Sequence, residues 1–307
     1  MDKEADKDFV AAYLKLSRKS LKEKIHHAEE ALKNCNLCPR NCGVNRTAGE
    51  TGFCRTGIRP FVSSWNPHFG EEAPLVGKNG SGTIFFSHCN LGCLFCQNWT
   101  ISHGDEGKEM SVEALSTLML TLQQDYGCHN INFVTPTHQI PMILKSLEIA
   151  IDAGLKVPLV YNCGGYEAIE TINLMHGIID IYMPDYKYTD PESAKKYSQA
   201  ADYPSVVKTA IKEMHHQVGN LVTDSNGIAL RGLIVRHLVL PEGLAGTEEV
   251  VRFLAEEISP YTYTNIMAQY YPCYKAADHP PLNRRLTNAE YRKALKTARN
   301  SGLKRLD

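Results

Sequence analysis

Excess charge of either sign is missing from this 307-residue sequence: 33 Lys and Arg face 34 Asp and Glu, giving a formal net charge of -1 and a pI near 6.9. No bulk positive field exists to hold a nucleic-acid backbone or an anionic membrane surface, so neither partner is expected. Long apolar runs are missing as well. The first twenty residues, MDKEADKDFVAAYLKLSRKS, carry charges throughout, and no later stretch approaches a membrane span. A secretory signal and a membrane anchor are therefore not expected, and the protein is placed in the cytoplasm. Low-complexity tracts and internal repeats are lacking too, and a hydrophobic content of 43% excludes a disordered chain.

Cysteine, by contrast, is plentiful. The sequence has 10 of them, and in a compartment that keeps thiols reduced, clustered cysteines point to metal or redox chemistry rather than to disulfides. Two clusters stand out: Cys35, Cys38, Cys42 and Cys54, then Cys89, Cys93 and Cys96.

Apolar residues at helical spacing (Phe9, Tyr13, Leu14, Leu21, Ile25, Ala28, Leu32) suggest one amphipathic helix over 9–32. The segment 35–54 is too poor in periodic hydrophobes to form a helix or sheet of any size, and its cysteines must hold it together. From residue 82 the pattern changes to short β-branched or aromatic runs at 83–87, 130–134, 157–161, 178–183, 233–240 and 265–269. Helical stretches separate them; in 111–126, Ser111 can cap and Val112, Leu115, Leu118, Met119 and Leu122 share a face.

These features read as an α/β fold: six β/α units curled by right-handed crossovers into a partial (β/α)6 barrel, with a small cysteine-rich N-terminal segment preceded by a helix. The expected organisation is 1–80 for the helix and four-cysteine segment, 81–275 for the partial barrel, and 276–307 for a linker and a last basic helix, read as a lid or a solvated cap. In such folds function sits at the C-terminal strand ends.

Directly after the first of these strands stands His88-Cys89-Asn90-Leu91-Gly92-Cys93-Leu94-Phe95-Cys96, a C-x3-C-x2-C loop. A cubane iron-sulfur cluster normally takes four thiolates, so three close cysteines leave one iron open to an exogenous ligand. A zinc site would need C-x2-C and a distant second pair, which this loop lacks.

This motif, with the aromatic Phe95 before its third cysteine, resembles that of the radical S-adenosylmethionine (SAM) superfamily. The resemblance implies a [4Fe-4S] cluster on Cys89, Cys93 and Cys96, SAM chelated to the open iron, and cleavage of SAM to a 5'-deoxyadenosyl radical that abstracts a substrate hydrogen. Over roughly 80–275 the chain is similar to the pyruvate formate-lyase activating enzyme group, and within it to activase-like proteins with extra N-terminal cysteines. The activases' Ser-Gly-Gly-Glu run, which binds the SAM amino group, corresponds to Thr135-Pro136-Thr137-His138 and puts His138 at the glutamate position, where a neutral imidazole can accept the same hydrogen bond. Met183-Pro184-Asp185-Tyr186-Lys187 resembles their Met-x-Asp-x-Lys, implying a monovalent cation at Met183 and Asp185 and a SAM contact at Lys187. An acidic and a basic group two residues apart point the same way from a strand end; the bland alternative is a surface ion pair. Arg236 is the counterpart of the arginine that clamps the SAM carboxylate, while His237 points to the opposite face as a packing residue. Asn162 stands roughly where the activases have Asp-Thr-Asn-Gly; the aspartate is missing, but Asn162 can reach SAM or the cation. Cys163 and Cys273 lie near strand ends, as substrate-side thiols or buried bystanders.

Cys35, Cys38, Cys42 and Cys54 make a closed set of four thiolates that suits a structural zinc or a second [4Fe-4S] cluster equally. The expected function is radical SAM chemistry on a protein or peptide substrate, with an electron donor such as flavodoxin or ferredoxin. A small-molecule substrate is the second reading. The third is an electron-transfer or metal-clipped scaffold without turnover, against which a ligand cup with Lys187 and Arg236 argues.

Overall fold

Runs of Ile, Val, Phe and Tyr too short for buried helices form strands at all six expected places. The computed structural model describes residues 9–307, so the charged stretch 1–8 of the expected N-terminal segment lies outside the described residues. The six are β2 (Ser81–Phe86), β4 (Ile131–Val134), β5 (Leu159–Cys163), β6 (Ile181–Pro184), β8 (Ala229–Leu238) and β9 (Tyr263–Met267). They pair in parallel in the order β2-β4-β5-β6-β8-β9. Four further strands extend them: β1 (Phe61–His68), β3 (Lys108–Glu109), β7 (Val222–Thr223) and β10 (Arg305–Leu306). Across the sheet the order is β10-β9-β8-β6-β5-β4-β2-β1-β3, with β7 beside β8, so the two edges do not meet and the barrel stays open on one side.

Ten α-helices are present among the described residues: α1 (Arg18–Glu30), α2 (Ala73–Val76), α3 (Trp99–Ser102), α4 (Val112–Gln124), α5 (Ile140–Asp152), α6 (Ile169–Leu174), α7 (Pro191–Ser198), α8 (Tyr203–Val218), α9 (Thr247–Phe253) and α10 (Asn288–Asn300). Ser111 caps α4 as expected, accepting the Ala114 N–H at 3.1 Å. The single helix expected over 9–32 is corrected to a short 3-10 turn, Ala12–Lys15, and α1, because Ser17 is extended and caps a fresh start by accepting the Ser20 N–H. The turn is tied down by Asp180, which accepts from Ala12 N at 2.8 Å, and α1 buries Leu21, Ile25 and Ala28 against the body. The last helix, α10, starts with a Thr287/Glu290 capping box and packs on α9 and β9 as a solvated cap, burying Ala294 and Ala298. No helix of the described residues is long and apolar enough to cross a membrane.

The interior of the half-barrel is filled from below. Leu75 of α2 packs with Val160, Ile181, Met183 and Ile234 in an apolar cluster inside the strands. The segment leading into α2 thereby carries Glu71 and Glu72 into the barrel, where Glu72 accepts from Asn265 Nδ2 at 3.0 Å. β1, on the N-terminal side of the boundary expected at residue 80, pairs antiparallel with β2 along its length.

Candidate active site

The chain turns sharply where β2 ends. His88 takes the left-handed conformation, φ 71°, and Thr135 does the same after β4, φ 59°; non-glycine residues accept this strain where the surrounding structure demands it, commonly at functional sites. The turn at His88 sends the cysteine loop across the C-terminal strand ends. There the loop backbone is held by the end of α7, Gly92 N donating to Ser198 O (3.1 Å) and Leu94 N to Tyr197 O (2.9 Å). Phe95 anchors it underneath, edge-on to Tyr188 and Tyr270.

Cys89, Cys93 and Cys96 all line one cavity of about 240 Å³, together with Asn162, Cys163, Asp185, Lys187 and Arg236. Each sulfur has a polar neighbour: Leu91 N–H on Cys89 (3.3 Å), Ser198 Oγ beside Cys93 (2.9 Å) and Ser102 Oγ beside Cys96 (3.1 Å). Burial pushes all three thiols up.

Opposite the cysteines lies a chain of charge. Lys187 Nζ is 2.5 Å from Asp185 Oδ2, and Arg236 Nε donates to Asp185 Oδ1 at 2.9 Å while its Nη2 donates to Asn162 Oδ1 at 2.7 Å. Burial penalises the Asp185 carboxylate, yet Arg236 and Lys187 together hold its pKa below the usual value. Desolvation likewise opposes charge on Lys187, but Asp185 keeps it above the usual lysine value. Tyr203 locks the backbone here: its hydroxyl accepts Lys187 N (2.9 Å) and lies 2.8 Å from Asp185 O and 3.0 Å from Gly164 O.

The surroundings of the other expected residues are as follows. Arg236 is paired with protein anions, Asp185 and, at 3.6 Å, Glu71. Each Asp185 oxygen faces a protein cation, Lys187 or Arg236, and the Met183 side chain is packed in the interior cluster below the cavity. Thr137 and His138 are not part of the cavity wall. Thr137 donates instead to buried Glu167 (2.9 Å), and His138 Nε2 meets Ser87 O at 2.8 Å, the ring facing the N-terminal cysteines. Burial lowers the His138 pKa to about 3, which keeps the imidazole neutral. His237 packs outward between Tyr186 O and Thr247 Oγ1. Cys163 reaches the cavity wall; Cys273 does not. Sequence reasoning missed Glu71, Glu167 and Tyr203.

A family model for the radical SAM superfamily matches residues 83–225. The uncharacterized protein MJ0674 of Methanocaldococcus jannaschii is 34% identical over 289 residues, covering 91% of this chain and 78% of the relative. The chain belongs to the radical SAM superfamily. MJ0808 of the same organism, also uncharacterized, is 24% identical over 275 residues, covering 80% and 73% of the two chains. A solved structure of TYW1 with a lysine-pyruvate adduct bound is similar with TM-score 0.41 and 11% identity, covering 71% of this chain and 73% of that one.

Superfamily membership implies a [4Fe-4S] cluster and SAM, and the cysteine loop fits the cluster: three thiols face one cavity, with N–H and O–H groups placed to hydrogen-bond their sulfurs, as cluster thiolates require. Beside them, the cavity wall is kept open at Gly164, where an added Cβ would stand 2.9 Å from Leu91 Cδ1. The N-terminal cysteines also come together: Cys35, Cys38, Cys42 and Cys54 line one small enclosed space with Leu37, Val44, Arg46 and His138. Among the described residues, neither cysteine set closes on a single-ion position.

Proposed function

We propose that this radical SAM protein abstracts a hydrogen from a protein or peptide substrate, in the manner of glycyl-radical activating enzymes. The observation that carries the reading is the single cavity in which Cys89, Cys93 and Cys96 face Asp185 and Lys187. The cluster, when bound, supplies the electron that cleaves the SAM sulfonium to the 5'-deoxyadenosyl radical. The chain's own residues do the rest. Lys187 and the Asp185–Arg236–Asn162 chain offer donors and acceptors to a zwitterion, Tyr203 fixes their backbone, and Phe86, Leu91 and Val134 keep that wall apolar.

A macromolecular substrate is supported by the rim. Trp99, 41% exposed, stacks on Tyr274 at 5.6 Å next to the cysteine loop, and His103, which lines the cavity, stacks on the same ring at 4.6 Å. Such aromatics suit a polypeptide segment entering the cavity. The reading also includes a second metal centre, zinc or [4Fe-4S], on the N-terminal cysteines, a flavodoxin- or ferredoxin-type electron donor, no nucleic-acid or membrane partner, and a cytoplasmic setting.

The test is anaerobic reduction with dithionite in the presence of SAM, measuring 5'-deoxyadenosine against a Cys93→Ala control. Nucleoside formed by wild type alone supports SAM cleavage, and transfer of deuterium into it from a labelled peptide then supports the substrate class. A fully iron-loaded wild type that forms none favours the non-catalytic scaffold; turnover stimulated only by small molecules favours the small-molecule reading.

A further inference from the structure

Arg46 is 2% exposed, and its guanidinium meets only neutral partners: Gly57 O through Nε at 2.9 Å and His138 O through Nη1 and Nη2, each at 3.0 Å. No carboxylate pairs with it among the ion pairs of the described residues. A buried guanidinium whose partners are all neutral carbonyls keeps an uncompensated charge, which an anion beside it would stabilise. What stands beside it is the enclosure of Cys35, Cys38, Cys42 and Cys54, whose wall Arg46 shares. A second polar group on that wall is also unanswered: His138 Nδ1, on a ring 2% exposed, has no hydrogen-bond partner. The loops are drawn tight around this space. Gly52 passes so close to Cys42 that an added Cβ would lie 2.7 Å from its sulfur.

Four neutral thiols would leave Arg46 uncompensated. Four thiolates on Zn²⁺, around which they would first have to draw closer, or on a wider [4Fe-4S]²⁺ core, carry two net negative charges in either case. We infer that the N-terminal cysteines hold an anionic tetrathiolate metal centre for which Arg46 is the buried counter-charge. The inference deepens the second centre named above. Loading releases the four thiol protons to solvent, and no electron is transferred in the step. The enclosure is lined by Leu37, Val44 and Phe53 and does not join the SAM-side cavity, so the centre is coordinatively closed and is not a place where substrate binds.

The centre's attachment to the active-site loop is visible in the same segment. Arg40, between Cys38 and Cys42, donates from Nε to Asn90 O at 2.9 Å and from Nη2 to Ser198 O at 3.3 Å, while stacking on Phe53 at 3.9 Å.

The experiment is metal analysis of the anaerobically prepared full chain and of a Cys89→Ala/Cys93→Ala/Cys96→Ala variant, which leaves only the N-terminal set. The expected result is that the variant retains either about four iron with sulfide or about one zinc per chain, the two arms telling cluster from zinc, and that wild type holds the same amount beyond its active-site cluster. In the variant background Arg46→Met should lose metal to a chelator about tenfold faster than Arg46→Lys, which keeps the charge. Wild type and variant both lacking the extra metal would overturn the proposal, even if wild type cleaves SAM. Equal retention by Arg46→Met and Arg46→Lys would overturn the role of Arg46. Because wild-type stoichiometry is read independently, a variant that fails to fold does not hide the answer.

Discussion

Asp185 sits between Lys187 and Arg236, with one carboxylate oxygen on each, 2.5 Å and 2.9 Å away. The three charges form one unit: the carboxylate is the anion that both buried cations share, with Glu71 a more distant second partner of Arg236 at 3.6 Å. Asp185→Asn should cost about 3–5 kcal/mol of folding stability, because it leaves Lys187 unpaired and Arg236 with only the more distant Glu71. Denaturant unfolding of the apo-chain measures it, and a loss below about 1 kcal/mol would mean that water, not Asp185, carries the two charges.

Lys187→Met keeps much of the side-chain volume but removes the donor that faces Cys93 across the cavity. Arg236 then remains to neutralise Asp185, so the fold should hold while SAM is misplaced. 5'-Deoxyadenosine formation is expected to fall about a hundredfold, with partial recovery in Lys187→Arg. Unchanged turnover would remove Lys187 from the SAM site.

Glu71 is an ion-pair partner of Arg236, yet its pKa is raised to about 7. Burial is the leading cause and outweighs Arg236, which is shared with Asp185, while Glu72 alongside adds repulsion. Between the ordinary glutamate value of 4.5 and about 7, the folded chain holds a proton that the unfolded chain has released, so this group's contribution falls as pH rises through that window. Relative to Glu71→Gln, wild type should lose about 1–3 kcal/mol on going from about pH 5 to about pH 8. Paired chemical-denaturation curves at the two pH values check the sign; a difference that grows with pH would contradict it.

Arg40 braces the Cys89–Cys96 loop through the Asn90 and Ser198 carbonyls, and Ser198 also lies against Cys93. Arg40→Ala should therefore loosen the active-site cluster without touching a ligand. Its iron is expected to leave about tenfold faster under a chelator, followed by the visible absorbance of the cluster. Arg40→Lys should rescue little, since a single ammonium cannot span both carbonyls and stack on Phe53.

The six parallel strands and the cysteine loop were legible because their signals are local: β-branched runs of the right length, and three thiols directly after the first run. The i, i+2 placement of Asp185 and Lys187 was legible for the same reason. β1 was not, since Phe61-Val62-Ser63-Ser64-Trp65-Asn66-Pro67-His68 mixes polar residues and a proline and gains its strand character from pairing with β2. Glu71 was invisible as a partner of Arg236, because nothing near residue 71 states that α2 will plug the barrel from below. The surroundings of His138 were not legible from motif positions alone: it lies in a 3-10 turn, Thr137–Gln139, and lines the space of the N-terminal cysteines.

Gly165 offers a test of how tightly that site is built. Its φ is +77°, and an added Cβ would lie 2.3 Å from Asp185 O and 2.8 Å from Val207 Cγ2. Backbone oxygen cannot rotate away, so Gly165→Ala must move the Asp185–Lys187 segment as well as pay for a left-handed alanine. Gly154, at φ +91° with nothing within 4 Å of the added Cβ, isolates the conformational part. Gly154→Ala should cost about 1–2 kcal/mol and leave SAM cleavage intact. Gly165→Ala should cost about 2–4 kcal/mol and cut 5'-deoxyadenosine formation, because Tyr203 can no longer hold Gly164 O, Asp185 O and Lys187 N together. Equal effects from the two substitutions would show that the backbone behind Asp185 gives way freely, and that the charge chain is not positioned by the packing beneath it.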